Sequence, residues 1–261
     1  MRRNLIYFPL LAAALILAPG SSCSHKHFTP EKDEVIYKPI MGEHTIVNTT
    51  CEEPSGICLA PNGDGFLVAS DQDGIHHITW NGTTTNFYNG KFDCEGVTID
   101  PQTKDVYYVV ERKQEVHRLV APDYKKDELI CVINEGLGTN DGLEGITWYK
   151  NGSLLIGNQK KPVLLINYSL TKGEISRHDL SLGILREIAD LCYDPVRDVL
   201  WIADSKNHTI NLCNTKGDVL ETYSVSFIDN GEGICVDHDH GCIWVCDDTT
   251  GKIYKISFTN L

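Results

Sequence analysis

From Glu53 onward the chain alternates short apolar runs with polar turns, and the alternation itself recurs. Five stretches share one design: EPSGICLAPNGDGFLVASD from Glu53, DCEGVTIDPQTKDVYYVVE from Asp93, GLEGITWYKNGSLLIGN from Gly142, EIADLCYDPVRDVLWIAD from Glu187 and NGEGICVDHDHGCIWVCD from Asn230. With Gly56, Gly96, Gly145, Asp190 and Gly233 as the common point, the spacings are 40, 49, 45 and 43 residues. Each unit gives a first strand, a turn rich in Asn, Asp, Gly or Pro, and a second strand of Val, Ile, Leu, Tyr or Trp. A third strand follows, such as GIHHITW, EVHRLV or GKIYKISF. Period-two alternation, β-branched residues and turn punctuation predict strands rather than helices. Four-stranded units of this length predict the blades of a β-propeller.

The first four units continue into a fourth strand, for example ELICVIN or VLETYSVSF, but the last stops at Leu261 after three. EHTIVNT, residues 43–49, has strand character and precedes the first repeat. It is expected to supply the missing outer strand of the last blade, which closes the ring and removes an open edge. The fold class is therefore all-β: a single propeller over residues 34–261 with five four-stranded blades, six being the alternative.

Residues 1–22 carry Arg2 and Arg3, then an apolar run from Leu5 to Ala18, then small residues ending at Cys23. That layout predicts a signal peptide and export, and the run is short for a membrane-spanning helix. Small residues before a cysteine also resemble a bacterial lipoprotein cleavage site, so Cys23 is expected to be lipidated and to anchor the protein to a membrane. Residues 23–33 read as a flexible tether.

Charge narrows the partners. Thirty-six Asp and Glu oppose 23 Lys and Arg, a formal net charge of −13. A basic face for nucleic acid is excluded by that balance. Ten cysteines would suggest disulfides in an exported chain. Yet Cys58, Cys192 and Cys235 fall at the position occupied by Thr98 and Thr147 in the other repeats, which predicts small residues packed between blades. Cys242 and Cys246 have no second ligand pair at zinc spacing. A disulfide at Cys51 or Cys94 stays open.

The repeats EPSG, CEGVTIDP with VVER, LEGITW and GEGICVD resemble the SdiA-regulated family of exported bacterial β-propellers, from about Glu53 to Phe258 and in the same blade order. The resemblance implies a cell-envelope protein, with a link in some members to calcium regulation or homeostasis and no established catalytic reaction. On the family pattern Glu53, Ser55, Glu95, Glu111, Arg112, Glu144 and Glu232 match the acidic and polar positions of the mouth. The fourth unit departs, with Ala189 and Asp190 where Ser-Gly is expected and Ser205 after Asp204. The third departs with Asn158, Gln159 and Lys160 where an acid is common.

Hairpin geometry gives the acids a shared place. The start of the first strand and the end of the second lie side by side, so both sit on one face of the disc. Glu53, Glu95, Glu144, Glu187 and Glu232 are expected to converge near the channel mouth, with Asp71, Glu111, Asp204 and Asp247 beside them. Carboxylates in one funnel repel one another unless a cation or shared protons offset the cost. Oxygen ligands at this density suit calcium; the plain alternative is a wet channel with solvated acids. His238 and His240 fall in a turn at the opposite end. The expected function is an envelope-attached, monomeric binding or scaffolding propeller, with a protein or small-molecule ligand at the mouth. The alternative is a calcium-dependent hydrolase, lactonase- or phytase-like, using the same mouth. No histidine occupies the repeat-equivalent mouth positions and no nucleophile-elbow motif is present, so no catalytic residue is assigned.

Overall fold

In the second strand of each repeat nearly every position is apolar, as in Phe66-Leu67-Val68-Ala69 and Val106-Tyr107-Tyr108-Val109-Val110, and all of these side chains are buried. A strand with alternating side chains can bury both sets only when it has a neighbour on each face. A computed structural model, which describes residues 37–38, 44–90, 93–133 and 141–258, shows those neighbours. Residues 1–22, expected as a signal peptide, and the expected tether of residues 23–33 with Cys23 lie outside the described residues.

Five antiparallel sheets form a five-bladed propeller. Blade 1 comprises Pro54–Leu59, Gly65–Ser70, Gly74–Thr79 and Thr84–Asn89, and blade 2 comprises Cys94–Ile99, Val106–Val110, Glu115–Leu119 and Asp127–Val132. Blade 3 comprises Leu143–Tyr149, Ser153–Asn158, Leu164–Ser169 and Gly173–Asp179. Blade 4 comprises Asp190–Asp194, Val199–Asp204, Thr209–Cys213 and Val219–Ser224. Blade 5 comprises Gly231–Asp237, Cys242–Asp247, Lys252–Ser257 and, on its outer side, His44–Asn48. That last strand pairs antiparallel with the third, from His44 opposite Ile256 to Asn48 opposite Lys252. The ring thus closes as the unfinished last repeat requires, and the sheets number five rather than six.

Each seam between neighbouring blades holds its own apolar cluster. Phe66 and Val68 meet Trp244 and Ile253 between blades 1 and 5, with Phe66 edge-on to Trp80 and to Trp244 at 4.8 Å in both cases. The alternate residues of the same strand, Leu67 and Ala69, meet Val106, Tyr108 and Val110 in the next seam. The period of two therefore divides one strand between two cores. The described cysteines are all free, Cys51 and Cys94 among them, and Cys242 and Cys246 are buried in the seam between blades 5 and 1.

One element has no counterpart in the repeat pattern. Tyr37–Lys38 adds to the outer edge of blade 4 in parallel, with Tyr37 opposite Thr222 and Lys38 opposite Tyr223. Lys38 Nζ reaches Glu221 Oε1 at 2.6 Å. A two-residue strand covers an edge that would otherwise present unpaired backbone groups.

Candidate functional site: the acidic mouth

The acid-glycine step at the start of the inner strands is a β-bulge. In blade 2, Cys94 lies opposite Val110 and Val97 opposite Tyr108, so Glu95 and Gly96 share the single partner Val109. The register slips likewise between Leu143 and Ile146, between Gly231 and Ile234, and between Pro54 and Gly56. A bulge adds one residue to one strand and re-aims its side chain. Here it directs Glu95, Glu144 and Glu232 into the mouth. The inner hairpin of blade 4 has no bulge, and its first strand runs in regular register from Asp190 opposite Ala203.

The glycines after these acids are required by contact rather than by dihedral angle. A Cβ on Gly96 would fall 2.4 Å from the Glu144 carbonyl oxygen, and one on Gly56 would fall 2.2 Å from that of Glu95. Neighbouring inner strands meet backbone to backbone around the axis. Asp190 takes the fifth place in this ring. Its Oδ2 accepts hydrogen bonds from Ile234 N–H of blade 5 at 3.0 Å and Ile57 N–H of blade 1 at 3.5 Å. Its carboxyl is buried, and burial pushes its pKa well above the ordinary range. The departure noted at Asp190 is a strut across the axis.

The acids of the mouth fall into three register columns. The bulge column is Ser55, Glu95, Glu144, Ala189 and Glu232. Two residues earlier comes a column of Glu53, Asp93, Gly142, Glu187 and Asn230. Carbonyls of this column accept from the residue just past the second strand: Asp71 N–H to Glu53, Glu111 N–H to Asp93, Gln159 N–H to Gly142 and Asp248 N–H to Asn230, at 2.7 to 3.2 Å. Asp71, Glu111, Gln159 and Asp248 form the third column. Asp204 and Asp247 stand one residue earlier than this column, and one step along a strand turns a side chain to the other side.

The structure sorts the expected site residues along these lines. Ligand oxygens of Asp71, Asp93 and Glu95 lie within 4.8 Å of one another, and so do those of Glu95, Glu111 and Glu144. Glu95, Glu111 and Glu144 are buried. Glu232 accepts from Asn230 Nδ2 at 3.0 Å and stands outside both groups, although its charge raises the pKa of Glu95 and Glu144. Glu53 is exposed and takes a hydrogen bond from Gln72. Glu187 is fully buried, accepts from Ser205 Oγ and Lys206 N–H, and lies 3.8 Å from Lys160 Nζ. Asp204 binds Arg186 N–H at 2.7 Å and Asn207 N–H at 3.1 Å, capping the short 3-10 turn Ser205–Asn207. Asp247 similarly receives Asn230 N–H and Thr250 Oγ1. Both are turn anchors, held by donors that leave them turned away from the cluster.

Two acids of the mouth are absent from the candidates read off the sequence. Asp93 joins the first group, with Arg112 Nε 2.6 Å from its Oδ2. Asp248 is hydrogen-bonded by Asn230 Nδ2 at 3.1 Å and raises the pKa of Glu232. The signal for both was a one- or two-residue offset in the repeat alignment, which the bulge conceals.

Electrostatics in the mouth favour protons or a cation. Burial first, then the charges of Asp71 and Glu232, pushes the Glu95 carboxyl well above the ordinary range. Burial and then Glu95 do the same to Glu144. Glu232 is pushed up to about 8 by burial and then Asp248, and Asp71 to about 6 by burial and its contact with Asp93. Glu111 is raised by burial, against an opposing hydrogen bond from Gly142 N–H at 3.1 Å. At the far end of the blades His238 and His240 pair with Asp194 and Asp237, each at 2.8 Å, and take no part in the mouth.

These features define a five-bladed β-propeller with a buried carboxylate cluster at one end of its axis. The sequence profile of the SdiA-regulated family matches residues 172–261. No curated protein matches the sequence. Among solved structures, a nidogen/laminin complex is similar at 13% identity and a TM-score of 0.56, covering 76% of this chain and 73% of that one. A streptogramin B lyase is similar at 15% identity and a TM-score of 0.50, covering 85% and 76%. An auxiliary nutrient binding protein from Bacteroides thetaiotaomicron has 15% identity, a TM-score of 0.50 and coverages of 77% and 58%. At these identities the likeness is one of fold.

Proposed function

We propose that the protein is an envelope-attached binding or scaffolding propeller whose acidic mouth holds calcium. The observation behind this reading is the set Asp71, Asp93, Glu95, Glu111 and Glu144, drawn from three blades into two groups that share Glu95. Asp71 Oδ1 in that set is buried and accepts no hydrogen bond. Calcium takes six to eight oxygens at about 2.3–2.6 Å, so oxygens on opposite sides of the ion stand about 5 Å apart. Oxygens that lie within 4.8 Å of one another fit inside that span. Magnesium, with bonds of about 2.0–2.1 Å and strict octahedral geometry, suits it less. When bound, calcium would neutralise carboxylates that otherwise repel or retain protons. It would tie blades 1, 2 and 3 together at the mouth, where a protein or small molecule could add the remaining ligands. Envelope attachment rests on the N-terminal signal pattern ending at Cys23.

The test is calorimetry of calcium binding on wild type and on the Glu95→Gln/Glu144→Gln double variant. A ligand that binds only the folded state stabilises it by RT ln(1 + [L]/Kd), about 2.7 kcal/mol at a hundredfold excess over Kd. Calcium should raise the Tm of wild type and chelator should lower it. The double variant should lose the calcium response and melt higher than wild type in chelator at pH 8, since the repulsion is relieved. No calcium uptake at millimolar concentration, with a double variant that melts like wild type, would refute the reading.

A further inference from the structure

The opposite end of the axis holds a second site of different chemistry. A cavity of about 540 Å³ opens there, lined by the lower ends of all five inner strands. Its floor is a ring of five equivalent residues, Cys58, Thr98, Thr147, Cys192 and Cys235, one per blade. The sequence pattern placed the three cysteines between blades as packing residues. The structure packs them there, Cys235 in the cluster between blades 5 and 1, Cys192 against that of blades 4 and 5 and Cys58 against that of blades 1 and 2, and all three also line the cavity.

The ring has a repeating bond. Thr98 Oγ1 accepts from Trp148 N–H of the next blade at 2.9 Å, and Thr147 Oγ1 accepts from Tyr193 N–H at 3.0 Å. Cys192 Sγ continues the pattern, accepting from Val236 N–H at 3.4 Å. In this position a threonine satisfies the fold as well as a cysteine does, so packing alone does not call for sulfur. The three thiols are contiguous around the ring, on blades 4, 5 and 1. The bond from Val236 N–H sets the Cys192 sulfur against the amide that follows Cys235, and the Cys235 thiol itself donates to the Val236 carbonyl at 3.7 Å. Trp148, Tyr149 and Tyr193 stand around the cavity, with Tyr149 and Tyr193 edge to face at 4.8 Å.

We propose that Cys192 and Cys235 form a soft-metal site, taking Cu(I) as a two-coordinate dithiolate at the floor of this cavity. Soft thiolate ligands select Cu(I), while a structural zinc site requires four ligands that this floor does not present. Binding replaces the two S–H protons by one Cu(I) and releases both protons to solvent, with no change of oxidation state. The Val236 N–H, 3.4 Å from Cys192 Sγ, is a donor that a thiolate there would accept from. This inference is independent of the calcium reading.

The test uses the reduced full-length protein under anaerobic conditions, with Cu(I) supplied as its acetonitrile complex against a chromogenic Cu(I) chelator. We expect one Cu(I) per chain, a near-ultraviolet sulfur-to-copper absorption band, and no displacement by equimolar Zn(II). The Cys192→Thr/Cys235→Thr variant copies the residues of blades 2 and 3, so its fold and its calcium response should persist. Its Cu(I) affinity should fall at least 100-fold. Cys242→Ser, in the seam between blades 5 and 1, should leave uptake unchanged. Absence of stoichiometric uptake, uptake unchanged in the double Thr variant, or ready displacement by Zn(II) would each overturn the proposal.

Discussion

At the scale of single residues, the mouth turns on offsets of one position. Asp247 and Asp248 are adjacent, yet the first anchors a turn through Asn230 N–H and Thr250 Oγ1 while the second bears on Glu232. Side chains alternate sides along a strand, so a shift of one residue decides whether an acid joins the cluster. Asp190 shows the same sensitivity in another form, standing where other blades carry glycine and bridging two neighbours. Asp190→Ala removes the acceptor of the Ile234 and Ile57 N–H groups, and each buried unsatisfied donor costs about 1–3 kcal/mol. Urea denaturation should therefore show a loss of at least about 1–3 kcal/mol. Asp190→Asn should cost less, because burial already favours the neutral carboxyl that Asn imitates. An Ala variant as stable as wild type would remove the strut from the account.

At the scale of elements, the ring is closed by a strand borrowed from the start of the fold. His44–Asn48 pairs with Lys252–Ile256, and Val47 packs against the seam cluster of blades 5 and 1. Deleting residues 44–48 exposes the edge of Lys252–Ser257 and loosens the seam that holds the two ends of the chain together. An open edge is a template for association. We expect aggregation, or a fall in Tm of roughly 10 °C or more, taking about 2–4 °C per kcal/mol lost. A synthetic peptide covering residues 43–49 should recover part of that loss. A truncated protein melting with the full chain would refute the closure. The bulges belong to this scale as well. They mark the inner hairpins of blades 1, 2, 3 and 5 but not that of blade 4, and that difference makes the mouth asymmetric.

At the scale of the molecule, the mouth links stability to pH. Glu232 is raised from 4.5 to about 8, and Asp71 from 3.8 to about 6, both first by burial. Between those limits the folded protein holds protons that the unfolded chain has already released. Stability of the calcium-free protein should thus be highest at the acid side of this window and fall as pH rises from about 4.5 to 8. Calcium requires the ionised carboxylates, so its affinity should rise with pH and its binding should release protons. Melting curves in chelator at pH 5, 6, 7 and 8 check the first statement, and calorimetry in buffers of different ionisation enthalpy checks the second. A Tm in chelator that stays flat from pH 5 to 8 would contradict both.

The blade count, the ring closure and the address of the acids at one end were legible in the sequence. They follow from local, repeated constraints: strand alternation, turn residues, and an unfinished last repeat. Which acids meet was not legible. Glu53, Glu95, Glu144, Glu187 and Glu232 look equivalent in one dimension, but Glu53 and Glu187 belong to a different column from the three that share the bulge position. Asp204 and Asp247 face turn backbones, and Asp93 and Asp248 enter the mouth in their place. A β-bulge is a register relation between two strands, so it has no signature in either strand alone. Burial, which raises the pKa of Glu95 and Glu144, is likewise a property of five blades converging on one axis, and so is the placing of Cys192 and Cys235 on one cavity.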